Sequence, residues 1–216
     1  MSERVIIFAN GSLADTQSVR RLIGSEDVLL AADGGTRHLL ALGLIPFVII
    51  GDLDSLPPNI RRSMERAGVS MVEHPRDKNE TDLELALDYA LGRDLREIVI
   101  VAALGGRLDQ TLANLALLTD HRLSTFDIRL DDGVEEAFFT RGSCRVRGEA
   151  GDVVSLIPWG GPVTGIVTEM LRWPLQGEML IPEKTRGISN EMLGDVAGVS
   201  LESGLLLVIH RRQHKS

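Results

Sequence analysis

Short apolar runs separated by polar turns dominate the first half of the chain. Arg4-Val5-Ile6-Ile7-Phe8-Ala9, Asp27-Val28-Leu29-Leu30-Ala31-Ala32, Phe47-Val48-Ile49-Ile50, residues 69–74 and residues 97–103 read as strands. Several are continuous Val/Ile/Leu runs, which marks strands buried on both faces, as in parallel sheets. Helical segments are expected between them, at 16–23, 36–42 before Gly43, 59–67 before Gly68, 82–91, and through 111–118. In 82–91 an apolar stripe is formed by Leu83, Ala86, Leu87, Ala90 and Leu91. Thr81-Asp82-Leu83-Glu84 just before it has capping-box spacing, with Thr81 as N-cap. Strands alternating with helices predict βαβ units and a mostly parallel, Rossmann-like α/β sheet.

The pattern changes near residues 124–132. Beyond it no amphipathic helix is evident. Short β-like runs recur at 136–140, 143–146, 153–157, 163–168, 196–201 and 205–210, with turns such as Gly160-Gly161-Pro162 and Ser203-Gly204 between them. This predicts an all-β sandwich or barrel. The expected organisation is an α/β domain over 1–128 and a β-sandwich domain over 129–216. The second is small for independent stability, so packing against the first domain or a second subunit is expected.

Composition narrows the function classes. Of 216 residues, 44% are hydrophobic, enough for a substantial core. The net charge of −8 argues against binding nucleic acid or anionic membranes through bulk charge. Cys144 is the only cysteine, which excludes an internal disulfide or a cysteine metal cluster and fits a reducing compartment. Met1-Ser2-Glu3-Arg4-Val5 runs directly into a strand without the features of a signal peptide. No apolar run approaches the roughly 20 residues that span a bilayer. A cytoplasmic location is the expectation. The histidines show no metal-ligand spacing, and His38, His74 and His121 read as surface or packing residues. The basic end, residues 211–216, reads as solvated.

Candidate chemistry collects where the predicted strands end. Gly51-Asp52-Leu53-Asp54-Ser55 places two carboxylates after a buried strand, where open α/β sheets bind ligands. Hard oxygen donors so close together suit Mg²⁺, although the same residues also suit a polar turn leading into Pro57-Pro58. Asp33-Gly34-Gly35 repeats the pattern, and its glycines leave room for a ligand near the backbone. Asn10-Gly11-Ser12 reads first as an ordinary strand-to-helix turn, with approach of a phosphate or nucleotide to its backbone as the alternative. Residues 75–82 form a charged loop in which Asp77, Lys78 and Asp82 are not explained by capping alone, though Asp82 suits the positive end of the helix dipole. Gly105-Gly106-Arg107-Leu108-Asp109 joins a glycine pair, an arginine and a helix start, a plausible phosphate site, with Asp109 as an alternative helix cap.

These motifs occur in an order and spacing that resembles the thiamine pyrophosphokinase family. They are Asp33-Gly34-Gly35, Gly51-Asp52-Leu53-Asp54-Ser55, Asp77-Lys78-Asn79-Glu80-Thr81-Asp82 and Gly105-Gly106-Arg107-Leu108-Asp109, followed by Leu171-Arg172-Trp173-Pro174-Leu175, Gly187-Ile188-Ser189-Asn190-Glu191 and Ser203-Gly204-Leu205-Leu206. The resemblance covers nearly the whole chain. Gln110 departs from a common His, and Asn79 from an Asp frequent in bacterial members.

The resemblance implies an α/β nucleotide domain, a β-sandwich thiamine domain, and a homodimer with its active site at the subunit interface. The implied reaction moves the terminal pyrophosphoryl group of ATP to the hydroxyethyl oxygen of thiamine. On this reading Asp52, Asp54 and Asp82 hold Mg²⁺, with Asp33 in the same acidic cluster. Asp33, Gly34, Gly35, Lys78, Thr81, Gly106 and Arg107 surround the ATP phosphates, and Asp109 orients Arg107 or meets the substrate. Either Asp52 or Asp54 is open as acceptor of the hydroxyl proton. Trp173, Ser189 and Asn190 are the thiamine candidates, against a core or interface role for Trp173 and an ordinary turn at Ser189-Asn190. A Mg²⁺-dependent phosphohydrolase and a non-catalytic nucleotide sensor remain the competing readings.

Overall fold

The computed structural model describes residues 4–13, 15–93 and 95–213. The chain divides into two compact units, Met1–Gly133 and Val134–Ser216. In the first unit the strands are β1 (Arg4–Phe8), β2 (Val28–Ala32), β3 (Val48–Gly51), β4 (Ser70–Glu73), β5 (Glu97–Val101) and β6 (Asp127–Asp131). The helices are α1 (Thr16–Leu22), α2 (Thr36–Ala41), α3 (Pro58–Arg66), α4 (Asp82–Leu91) and α5 (Leu108–Leu117). The strands lie in the order β4-β3-β2-β1-β5-β6, and every neighbouring pair is parallel.

The central strand explains the continuous apolar runs. Val5, Ile6, Ile7 and Phe8 are each 0% exposed, so successive side chains fill both faces of the sheet. The chain passes outward from β1 through β2 and β3 to β4, then returns to the other side of β1 as β5. The reversal leaves a crevice beyond the carboxyl ends of β1 and β5, the usual ligand position in open α/β sheets. There the Gly11 N–H donates to the Ala102 carbonyl at 2.9 Å. A Cβ on Gly11 would lie 2.3 Å from that oxygen, so the close approach of the two loops requires glycine. Helix starts follow the sequence signals. Asp15 accepts from the Ser18 N–H at 2.9 Å, and Thr81 Oγ1 from the Glu84 N–H at 3.2 Å.

The expected break after residue 128 falls inside β6. That strand pairs in parallel with β5 from Glu97↔Asp127 to Ile100↔Leu130, and the division between units comes after Gly133. Asp127, Arg129 and Asp131 interrupt its apolar pattern, and Arg129 Nε donates to Asp127 at 2.9 Å. The strand therefore lacks the unbroken apolar signature of its neighbours.

The second unit contains two antiparallel sheets, as a sandwich requires. One holds β7 (Glu135–Thr140), β14 (Leu206–Arg211), β9 (Val153–Pro158) and β12 (Asn190–Glu191). The other holds β8 (Ser143–Arg147), β13 (Val196–Ser200), β10 (Val163–Glu169) and β11 (Gln176–Leu180). Phe138, Val154, Leu156 and Val208 from the first join Val146, Ile166 and Val199 from the second in one core. β11 and β12 are absent from the sequence expectation because β11 is largely polar and exposed and β12 is two residues long. Arg211, expected in a solvated tail, belongs to β14 and lies 3.5 Å from Glu135. His214, Lys215 and Ser216, like Met1, Ser2 and Glu3, lie outside the described residues.

One polar cluster is set into this sandwich. His210 is 0% exposed, with Nδ1 3.0 Å from Glu136 and Nε2 2.9 Å from Asp152. Asp152 also accepts the backbone N–H groups of Glu149 and Gln213, and Arg212 lies 3.8 Å from Glu136. Burial opposes charge on the imidazole, but the hydrogen bonds to Glu136 and Asp152 outweigh it and raise its pKa. A raised pKa in the fold gives stability that is complete below the unfolded value of about 6.5 and fades as pH rises through the folded value. Both tryptophans, Trp159 and Trp173, lie in this unit and report on it. Urea unfolding followed by their fluorescence is expected to show stability falling above neutral pH. His210→Gln should remove that slope and cost ~3–5 kcal/mol, the usual penalty for leaving buried carboxylates without their cation. An unchanged slope in the variant would assign the pH dependence elsewhere.

Candidate active site

The acidic residues reach one place because each follows a parallel strand. Asp33 opens a short 3₁₀ turn, Asp33–Gly35, directly after β2 and adopts φ 41°. This left-handed conformation costs a non-glycine residue about 1–2 kcal/mol. A Cβ on Gly51 would lie 2.7 Å from Asp33 Cβ and 3.1 Å from Asp82 Oδ1, so only glycine lets these carboxylates gather over the end of β3. Next, Leu53 adopts φ 58° and is buried, while Asp52 and Asp54 on either side remain accessible. Gly34 and Gly35 have a packing job as well. Their Cβ positions are occupied by the Asn10 side chain and the Phe8 carbonyl.

Asp33, Asp52 and Asp54 can each present an oxygen such that all three lie within 4.8 Å of one another. Asp33 is 5% exposed; its Oδ2 accepts from the Ser55 hydroxyl at 2.5 Å, whereas Oδ1 is buried without a hydrogen-bond partner among the described residues. Burial raises the Asp33 pKa most; Asp82, Asp52 and Asp54 add to the rise and the Ser55 hydrogen bond opposes it. A buried carboxylate oxygen without a hydrogen-bond partner, on a residue grouped with two further carboxylates, lacks a positive partner. The donors are all hard oxygens, so the residues fit a divalent cation of the Mg²⁺ type.

Asp82 lies beside this trio. Its Oδ1 accepts at 2.8 Å from Nζ of Lys78, in the loop that precedes α4, while Asp33 joins Asp52 and Asp54 in the converging group. The hydrogen bond to Asp82 is the main reason the Lys78 pKa is raised. Arg76, which the sequence did not single out, lies 3.4 Å from Asp54 Oδ2. Ser55 was also missed as a functional partner, although it completes the same motif.

Arg107 occupies the N-cap position of α5, and Asp109 lies within its first turn. The two form a fork, with Nε to Oδ1 at 3.1 Å and Nη2 to Oδ2 at 2.5 Å, so Asp109 orients the guanidinium rather than capping the helix. Both are exposed. Gly105 and Gly106 adopt φ 74° and 77°, and a Cβ on Gly106 would come within 2.9 Å of Ser12 Oγ. Arg37 donates to the Asn10 and Gly11 carbonyls at 3.0 Å each, and His38 lies 2.9 Å from the Gly11 oxygen, so His38 packs against the β1 loop as expected. A cavity of about 250 Å³ adjoins this region, lined by Asn10, Gly34, Arg37, Ser55, Leu56 and Ile60 among others.

In the second unit Trp173 is 50% exposed, and Arg172 lies over its ring at 5.4 Å from the centroid. Ser189 is exposed in a left-handed conformation, φ 59°, with its N–H donating to Ser155 Oγ at 3.1 Å. Asn190 is buried and bonded to the Trp173 backbone. Trp173 and Asn190 are thus neighbours.

A family model described as the thiamin pyrophosphokinase catalytic domain matches residues 19–130, and one described as the thiamin pyrophosphokinase vitamin B1 binding domain matches residues 143–206. Thiamine pyrophosphokinase from Bacillus subtilis strain 168 is 31% identical over 182 residues, covering 83% of this chain and 85% of that protein. The crystal structure of thiamine pyrophosphokinase from Bacillus subtilis aligns with TM-score 0.87 and 28% identity over 98% of this chain and 100% of that one. Thiamin pyrophosphokinase from Geobacillus thermodenitrificans aligns with TM-score 0.84 and 25% identity over 98% of each chain. With both units matched in order, and with the acidic strand ends of the first in place, the chain belongs to the thiamin pyrophosphokinase family.

Proposed function

We propose that the chain transfers the terminal pyrophosphoryl group of ATP to the hydroxyethyl oxygen of thiamine, giving thiamine diphosphate and AMP. The observation that carries this reading is the Asp33, Asp52 and Asp54 trio, with its orphaned Asp33 oxygen, in a chain whose two units each match a family model. A phosphohydrolase or a nucleotide sensor would account for the acids alone but not for the match to a vitamin B1 binding domain.

The chemistry is mainly positioning and charge neutralisation. Asp33, Asp52 and Asp54, with Asp82 beside them, would hold Mg²⁺, which would supply positive charge to the phosphate oxygens. Asp82 also fixes Lys78, whose ammonium offsets phosphate charge together with Arg107. The Asp109 fork presents Arg107 in one orientation, ready for bidentate contact with a phosphate. Thr81 starts α4 and thereby sets Asp82 in place, while Gly34, Gly35 and Gly106 keep the strand-end turns tight around the phosphates. The acceptor hydroxyl loses its proton to Asp52 or Asp54 as its oxygen bonds to the β-phosphorus and the bond to the AMP oxygen breaks. Trp173 and Ser189 belong to the thiamine side. The partners we propose are ATP, thiamine and a second copy of the chain, with the active site at the interface of a cytoplasmic homodimer. Net charge of −8 supports neither nucleic acid nor an anionic membrane as a partner, and among the described residues no helix is long and apolar enough to cross a membrane.

AMP and thiamine diphosphate measured together, with and without thiamine, are expected to form in equal amounts and only with thiamine and a divalent cation. ATP breakdown that ignores thiamine would replace this reading with the hydrolase. Asp54→Asn should lower kcat by roughly 10²-fold or more with unchanged circular dichroism, the scale of losing a charge-stabilising group; near-normal turnover would remove Asp54 from the metal set. Arg107→Lys should lower kcat/KM for ATP about tenfold, because an ammonium cannot reproduce the bidentate fork; full activity would show that a point charge suffices.

Asp33→Asn should separate stability from function. Removing a buried negative charge from an acidic cluster is expected to raise the stability of the metal-free protein by ~1 kcal/mol. The same change should reduce the stabilisation that added Mg²⁺ gives the unaltered chain, read by far-ultraviolet melts with EDTA or with Mg²⁺. A destabilised variant that keeps its Mg²⁺ response would count against the cation role of Asp33.

A further inference from the structure

Asn190 is 8% exposed, and its carboxamide is taken up by the chain around Trp173. Oδ1 accepts the Trp173 N–H at 3.0 Å and the Glu191 N–H at 2.9 Å, and Nδ2 donates to the Trp173 carbonyl at 2.6 Å. One side chain thus holds both backbone groups of Trp173, the work that a neighbouring strand does elsewhere in the sandwich. The flanking chain is fastened on the same side. Leu171 bridges Met192, the Arg172 N–H donates to the Glu191 carbonyl at 2.9 Å, and the Leu193 N–H to the Met170 carbonyl at 3.0 Å. The Arg172 guanidinium lies over the indole and is itself held by Glu191 Oε2 at 2.8 Å. Ser189, left-handed and exposed, is followed by Asn190 turned inward.

We propose that Asn190 is a positioning residue. It fixes the Trp173 peptide so that the half-exposed indole stands as a preset stacking surface for a planar heteroaromatic ring of the acceptor substrate, and it does not itself bond that substrate. The inference rests on the reading of Trp173 as part of the thiamine side. Both lone pairs of Oδ1 and one of the two Nδ2–H groups are in use, so most of the carboxamide is committed to the chain and a single N–H is left over. A side chain so deeply buried has little surface to offer a ligand. Holding the aromatic ring in place during folding lowers the ordering cost that binding would otherwise meet, so the benefit falls on acceptor affinity.

The test is a double-mutant cycle in a Trp159→Phe background, which leaves Trp173 as the sole tryptophan of the two in the chain. Trp159 packs edge-on against Phe139 at 5.3 Å, a contact phenylalanine can keep. Trp173→Ala and Asn190→Ala should each raise the thiamine KM about tenfold, with the ATP KM not following and kcat at saturating thiamine much less affected. The double variant should be no worse than Trp173→Ala alone, because residues acting through one another are non-additive. Quenching of Trp173 emission by thiamine should weaken in Asn190→Ala. Additive effects would overturn the proposal in favour of direct contact by Asn190. A lowered melting temperature with an unchanged thiamine KM would overturn it in favour of a purely structural role. Should Asn190→Ala fail to fold, Asn190→Asp enters the same cycle, keeping the acceptor oxygen and losing the bond to the Trp173 carbonyl. An unchanged thiamine KM in Trp173→Ala would sink the stacking surface together with the proposal. Failure of the pyrophosphokinase reading is a different result, the absence of thiamine-dependent AMP from the unaltered chain.

Discussion

Asp33 is a carboxylate almost wholly removed from water, with one oxygen held by Ser55, the other without a hydrogen-bond partner among the described residues, and Asp52 and Asp54 close by. Such an arrangement raises the free energy of the metal-free fold, and the surrounding structure must be stiff enough to hold it. The stiffness comes from the parallel sheet. β1, β2 and β3 are fully buried at their carboxyl ends, and hydrogen bonds between neighbouring strands fix where each acidic turn begins. The missing Cβ at Gly51 and the left-handed turns at Asp33 and Leu53 then bring the carboxylates together. Strain and buried charge at one spot are typical of a site that gains its full stability only on binding a ligand.

The cationic side of the site is arranged on the opposite principle. Lys78 and Arg107 are each tied to a carboxylate close in sequence, Asp82 and Asp109. The Arg107 pair is exposed and adds little to stability, but it restricts the orientation of a long side chain. Both pairs sit where a helix begins, so in each case the positive end of the helix dipole lies beside a side-chain cation. The acidic group calls for a cation and the basic group for an anion, a combination that suits a metal-bound polyphosphate.

The second unit solves a separate problem, how to hold a small sandwich together while leaving an aromatic ring accessible. Its core draws on both sheets, and His210 bonds β14 to β7 through Glu136 while Asp152 gathers the neighbouring loop. The segment around Trp173 lacks extended strand pairing, and its order depends on Asn190 and a few backbone bonds to the β12 region. These are local polar contacts, so ring position and fold stability are separable.

Much of this was legible in the sequence. Unbroken Val/Ile/Leu runs fixed the buried parallel strands, because a strand covered on both faces has no polar side, and Thr81 marked the start of α4 because an N-cap is a local interaction. The motifs named the acidic and basic residues, since strand-end position is readable from the chain alone. Pairings between distant residues were not. The place of Asp33 in the trio, the Asn190 hold on Trp173 and the His210 cluster arise when segments far apart in sequence meet. β6 escaped because its polar residues interrupt the parallel-strand pattern, and β12 because two residues carry no periodicity. The sequence by itself determined which elements form and which residue types stand at their ends, both consequences of short-range periodicity and turn chemistry. Only the tertiary structure decided which carboxylates share a space and which are already partnered, because that depends on sheet order and on atoms missing at a few glycines.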